Sequence, residues 1–183
     1  MSLSNSFPQN YNLLAIIMHW VSAIAVIGMF MIGIWMVDLS YYSSWYKTAP
    51  EGHKAVGIIL ALITVGRFAW KLLSASPEAE GTALEKMASK IAHLTMYILL
   101  AALFVSGYLI STSDGRGIEV FGLFTVPGAG ELFEHQSDLA GNVHMLVAWT
   151  LIGVVAIHAT AAVKHHVINK DQTLKKMLGK NKT

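Results

Sequence analysis

The chain has 183 residues, 54% hydrophobic and only 13% charged, a composition unlike that of a soluble domain. Its formal net charge of +2 excludes little, but the absence of cysteine excludes disulfides, iron–sulfur clusters, thiolate metal sites and the C-x-x-C-H attachment of a c-type haem. Lipid is the expected solvent, no nucleic-acid partner is expected, and any haem would be held without covalent bonds to the protein.

Four apolar stretches follow in chain order, roughly 13–37, 53–73, 91–113 and 143–166. Each is near the ~20 residues that a helix needs to cross ~30 Å of hydrocarbon. The parts from Val21 to Val37, Leu94 to Ser113 and Val143 to Val163 carry no charge, so none shows the polar stripe of a soluble bundle helix. The first ten residues contain no Lys or Arg and no short apolar core with a small-residue cleavage site follows, so the first stretch is expected to stay as a span. The expected architecture is all-α, a single integral membrane four-helix bundle over residues 1–183.

The connections have distinct characters. The first, from Asp38 to Gly52, holds Tyr41, Tyr42, Trp45 and Tyr46, rings that favour the membrane interface. In the second, Thr82-Ala-Leu-Glu85 has the Thr-x-x-Glu form of a helix capping box, so the third helix is expected to begin before the lipid. The longest, from Asp114 to Asn142, carries the turn signals Asp114-Gly115-Arg116-Gly117 and Pro127-Gly128-Ala129-Gly130 and is expected to fold over one mouth of the bundle.

Basic residues set the orientation. Arg67, Lys71, Lys86, Lys90, Lys164, Lys170, Lys175, Lys176, Lys180 and Lys182 flank one side, against Lys47, Lys54 and Arg116 on the other. The positive-inside rule then puts both termini in the cytoplasm. The outer loops instead hold Asp38, Glu51, Asp114, Glu119, Glu131, Glu134 and Asp138.

A histidine inside a membrane helix is a functional hypothesis by default, since an imidazole facing lipid lacks partners for its nitrogens. His144 and His158 lie fourteen residues apart on the fourth helix, so they share a face and are separated by ~21 Å of rise. His53, near the outer start of the second helix, is level with His144, while His19, two turns into the first, is level with His158. Two facing imidazoles at a common depth are what six-coordinate haem needs, with one nitrogen of each neutral ring on iron. The expected metal ligands are therefore His53 with His144 for an outer haem b and His19 with His158 for an inner one.

Small residues one turn away suit a flat macrocycle: Ala15 and Ala23 beside His19, Gly57 after His53, Ala148 after His144 and Ala162 after His158. Arg67, on the face of His53 but at the inner depth, is assigned to the propionates of the inner haem. The plainer alternative is that such histidines bond neighbouring helices and such small residues only allow close packing. Matched depths on three helices favour the haem reading. Zinc or nickel transport is weaker, because no carboxylate lies within a span beside these histidines.

Met18-His19-Trp20, His53-Lys54-x-x-Gly57, His144 with His158 fourteen on, and Lys164-His165-His166 before Lys170-Asp171-x-Thr173-Leu174 together resemble the bacterial cytochrome b561 family. The resemblance covers essentially the whole chain. It implies a four-helix di-haem b cytochrome of the bacterial inner membrane that exchanges electrons with ubiquinone, with the ligand pairing already given by depth. It also suggests His165 as a quinone contact near the inner haem, where a snorkelling interfacial cluster with Lys164 and His166 is the plainer alternative. His93, at a similar depth, is read equally as a second quinone contact or as a capping or hydrogen-bonding residue, and His135 as a solvated loop residue.

The leading function is transmembrane electron transfer between the ubiquinone pool and a periplasmic donor or acceptor, with no residue assigned a catalytic role. Within that family, oxidation of superoxide with reduction of ubiquinone is an alternative. An anionic substrate is steered by positive surface, however, and three basic against seven acidic outer residues disfavour it. A further alternative is a membrane-anchor subunit of a respiratory dehydrogenase, or a docking partner of an exported redox, quinone-binding or lipid-binding protein. A non-redox, histidine-lined transporter is the last rival, distinguished by absence of haem absorbance.

Overall fold

The structure is a computed structural model that describes residue 8 and residues 10–179; Lys180 and Lys182, counted above, lie outside the described residues. Four long helices make the body: α1 (Leu13–Val37), α2 (Thr48–Leu73), α3 (Ala83–Thr112) and α4 (Gln136–Lys164). A short hairpin of β1 (Ile118–Val120) and β2 (Phe124–Val126) lies between α3 and α4, and a short α5 (Thr173–Met177) follows α4. All four long helices are long and apolar enough to cross a membrane. Their outward faces display Ile24, Met31, Leu62, Val65, Ile98, Val105, Leu146 and Ile157 to what would be water in a soluble protein. Lipid removes that cost.

α1 coincides with its apolar stretch, and the other three helices begin before theirs. α2 begins at Thr48, so His53 lies more than a turn inside the helix rather than at its entrance, and α3 begins at Ala83, well before Ile91. The start of α3 is the expected capping box: Thr82 Oγ1 accepts from Glu85 N, and the Glu85 carboxylate accepts from Thr82 N.

Alternating direction puts the starts of α1 and α3 and the ends of α2 and α4 on one face, called inner here after its basic residues. α1 packs along α2 and α3 along α4, while α1 and α4 barely meet. The two pairs therefore leave a space between them.

Between its two turn signals the long connection pairs Ile118 with Val126 and Val120 with Phe124 in an antiparallel ladder. Ile118 and Val120 point inward and are buried. Gly128 is required where the chain crosses itself, because a Cβ there would meet the Arg116 carbonyl at 2.5 Å. Gln136 locks the start of α4 to this cap: fully buried, it donates to Leu109 O and Gly130 O and accepts from Leu132 N.

Candidate functional site

Each level of the bundle is built from one residue per helix. The outer level brings together Gly33 of α1, His53 of α2, Gly107 of α3 and His144 of α4. The imidazole centres of His53 and His144 are 6.4 Å apart, with their planes at 70°. A Cβ on Gly33 would come within 3.4 Å of His53 Cε1, and one on Gly107 within 3.2 Å of His144 Cε1. The two glycines are the room in which the rings sit. Around them opens an apolar cavity of about 830 Å³, lined by both histidines and by Met29, Gly57, Phe104 and Ala148 among others. Such a volume is typical of a site for a sizeable organic group.

The hydrogen-bonding of the outer rings is informative. Ser106 Oγ donates its one proton to Ala102 O at 2.7 Å and lies 3.0 Å from His144 Nδ1. With the hydroxyl proton so used, Nδ1 is the donor in that contact, which leaves Nε2 of a neutral His144 with a free lone pair. His53 Nδ1 is buried with no hydrogen-bond partner among the described residues.

The inner level brings together His19 of α1, Arg67 of α2, His93 of α3 and His158 of α4. His19 and His158 repeat the outer spacing, with ring centres 6.4 Å apart and planes at 65°. His93 is closer to His158, at 5.1 Å. Arg67 Nη2 lies 2.8 Å from His19 Nδ1, and the guanidinium is 6.0 Å from the Tyr97 ring centre. Arginine has only donors, so Nδ1 is the accepting nitrogen of His19 here. Between the levels, Phe30 of α1 and Trp149 of α4 meet edge to face at 4.9 Å.

Two imidazoles bound to opposite sides of one metal ion, with metal–nitrogen distances of about 2 Å, have ring centres about 6 Å apart. Both 6.4 Å pairs fit that requirement, and the 5.1 Å approach of His93 to His158 is short for it. Among the described residues there is no cluster of three or more His, Cys, Asp or Glu that could hold a metal ion by protein groups alone. At the outer level, paired imidazoles beside a large apolar space suit a metal carried in an organic macrocycle.

A family model described as prokaryotic cytochrome b561 matches residues 10–180. The chain belongs to that family. It is 45% identical to cytochrome b561 homolog 2 of Escherichia coli K12 over 183 residues, covering 99% of this chain and 97% of the relative. Identity is 29% over 144 residues to cytochrome b561 homolog 1 of the same organism, covering 76% of this chain and 80% of the relative. With the probable superoxide oxidase CybB of Yersinia pestis it is 27% over 177 residues, covering 95% of this chain and 98% of the relative. The chain is thus a multi-pass protein of the inner membrane, and its family implies haem b.

Of the residues singled out from sequence, His53 and His144 meet at one level and His19, His158 and Arg67 at the other. His165 sits apart, where α4 passes into a π-helical turn over His165–Asn169, and its ring lies against the Asp171 carboxylate. His135 is in the left-handed conformation just before α4. Gly57 and Ala148, singled out beside the outer pair, both line its cavity. Sequence reasoning missed Gly33, Gly107, Ser106 and the approach of His93 to His158. The signal for three of these was present: the interval of fourteen residues that joins His144 to His158 also joins His19 to Gly33, His53 to Arg67 and His93 to Gly107.

Proposed function

We propose that this cytochrome holds two b haems stacked across the membrane, one on His53 and His144 and one on His19 and His158, and that it carries electrons between the ubiquinone pool and a periplasmic donor or acceptor. The observation that carries the reading is the repetition of one imidazole spacing, 6.4 Å, at two levels about 21 Å apart along α4. Haem b, when bound, supplies one-electron chemistry at potentials that the protein tunes through axial ligation, burial and hydrogen bonding.

The chain's own residues do the rest. Ser106 keeps the proton of His144 on Nδ1 and so presents Nε2 to metal. Gly33 and Gly107 leave space at the outer ring pair, and the apolar wall of the cavity excludes water. At the inner level His19 must present Nε2 unprotonated, which requires Nδ1 to carry the proton and Arg67 to leave it. A propionate within reach would draw the guanidinium away as a charge-assisted partner. Orientation by the basic residues puts the inner level toward the cytoplasm, where ubiquinone is proposed to meet the protein near His165 and Arg67.

The name of the Yersinia pestis relative brings superoxide into view as an alternative outer substrate. The outer surface argues against it, since one of its few cations, Arg116, is paired with Asp114 at 2.5 Å. The test of the main reading is a reduced-minus-oxidised spectrum of purified protein titrated with ubiquinol. Two b-type haems per chain reduced by quinol support it, and an absence of haem absorbance refutes it in favour of a non-redox role.

A further inference from the structure

The end of α4 is shaped around one imidazole. After the π-helical turn, Lys170 takes a left-handed conformation (φ 55°) and the chain doubles back, so that Asp171 N donates to His165 O. The Asp171 side chain then reaches the ring of the same histidine, with Oδ2 2.5 Å from Nδ1. Its other oxygen accepts from Thr173 N, the first residue of α5, in a turn just before that helix. Both side chains are largely shielded, His165 13% and Asp171 16% exposed.

Two other neighbours flank the ring, and Asp171 is the nearer of the two polar groups at Nδ1. Asn169 Nδ2 lies 3.3 Å from the same Nδ1, and the turn at Gly81 passes so near that a Cβ there would meet His165 Cε1 at 3.0 Å. The acidic group nearest by connection, Glu85 of α3, is occupied by Lys164 and by its own capping box. Lys176 of α5 is occupied by Glu80. Burial works against the Asp171 carboxylate, but hydrogen bonds from His165 and Thr173 outweigh it and hold its pKa below the ordinary value. An ionised carboxylate can only accept, so Nδ1 of His165 carries a proton. Nε2 has no hydrogen bond among the described residues.

We propose that Asp171 is a positioning residue for the quinone: acting through His165, it fixes the Nδ1–H tautomer and the ring orientation so that Nε2 meets a quinol hydroxyl or quinone carbonyl at the inner face. This rests on the reading that ubiquinone exchanges electrons near His165, and adds the residue on which that contact depends. His165 lies seven residues beyond His158, close to two full turns, so the two rings share a side of the helix about 10 Å apart in rise. The arrangement parallels metal-site histidines whose second nitrogen is fixed by a carboxylate. Here the presented nitrogen serves a diffusing partner.

The experiment measures ubiquinol-driven haem reduction in the full-length purified holoprotein for His165→Ala, Asp171→Asn, Asp171→Glu and Lys176→Ala. Asn keeps the size of Asp and can still accept from Thr173 N, but its amide can donate as well as accept, so the tautomer is no longer fixed. Asp171→Asn is expected to raise the KM for ubiquinol about 10-fold, the loss of one hydrogen bond, with haem content unchanged. Asp171→Glu is expected to recover most of the effect, and ¹⁵N resonances of His165 to report Nδ1–H in the native protein and mixed tautomers in Asp171→Asn. Lys176→Ala loosens α5 without touching His165 and is expected to leave KM unchanged. An equal rise in Lys176→Ala would make Asp171 merely structural and overturn the proposal. So would a native KM in Asp171→Asn while His165→Ala raises it. A native KM in His165→Ala would overturn both the proposal and the quinone contact on which it rests.

Discussion

Ser106 Oγ of α3 lies 3.0 Å from His144 Nδ1 of α4 and 2.7 Å from Ala102 O, so a hydroxyl proton placed on the carbonyl makes the ring the donor between them. The preset tautomer makes Ser106 part of the outer site although it touches only the far nitrogen of the ring. Partners of this kind are worth about 10- to 100-fold in metal affinity. Ser106→Ala is expected to weaken outer haem retention by about that factor and to raise the midpoint potential of one haem, since an imidazole without an acceptor at Nδ1 is a poorer donor to iron. Potentiometric titration of the visible spectrum, with haem content by pyridine haemochrome, checks both.

Gly107→Ala separates room from helix stability. In a helix interior alanine is favoured over glycine by about 1 kcal/mol, so a neutral site would gain stability. The added Cβ would instead press on His144 Cε1 at 3.2 Å. The expected outcome is one haem per chain in place of two, with helical circular dichroism unchanged; two haems with native spectra would contradict it.

Arg67 should act on one haem only. Removing its charge from the inner level by Arg67→Gln disfavours the electron-loaded state there. Its midpoint is expected to fall by about 60 mV, a tenfold change in a one-electron equilibrium constant. The other haem should keep its potential in the same titration.

The outer surface predicts how an anionic substrate behaves. Asp114 is held below its ordinary pKa, first by the side-chain hydrogen bond from Arg116 and then by that from the Arg116 backbone, so the pair stays ionised and self-compensated at neutral pH. With Glu119, Glu131, Glu134 and Asp138 in the same connection, superoxide should reduce the haems slowly, at a rate flat or rising with added salt over Debye lengths of ~8–10 Å. Ubiquinol, being neutral, should show little salt dependence. Stopped-flow reduction at low and high ionic strength distinguishes them, and a fast superoxide rate that falls steeply with salt would restore superoxide oxidation as the leading function.

The helices and the depths of the ring pairs were legible in the sequence because both rest on simple periods: ~20 apolar residues per crossing, and fourteen residues for a return to the same helix face. His19, His53, His144 and His158 follow from those two lengths. Gly33 and Gly107 obey the same interval but carry no chemistry of their own, so nothing drew attention to them until their distance to a ring could be measured. Ser106 was hidden for a different reason: its role depends on where its proton goes, which depends on the Ala102 carbonyl. The Asp171 contact needs a π-helical turn and a left-handed Lys170, and neither has a reliable sequence signal. The hairpin at Ile118–Val126 was missed because three-residue strands are too short to display an alternation.

The central claim is that four histidines form two pairs, each holding one haem. The most direct measurement is haem content and low-temperature spectra of four purified variants, His19→Ala, His53→Ala, His144→Ala and His158→Ala. The account predicts that His53→Ala and His144→Ala lose the same haem and retain the other, and that His19→Ala and His158→Ala lose the one the first two retain. Loss of a single shared haem by His19→Ala and His53→Ala, or native haem content in any of the four, would contradict it.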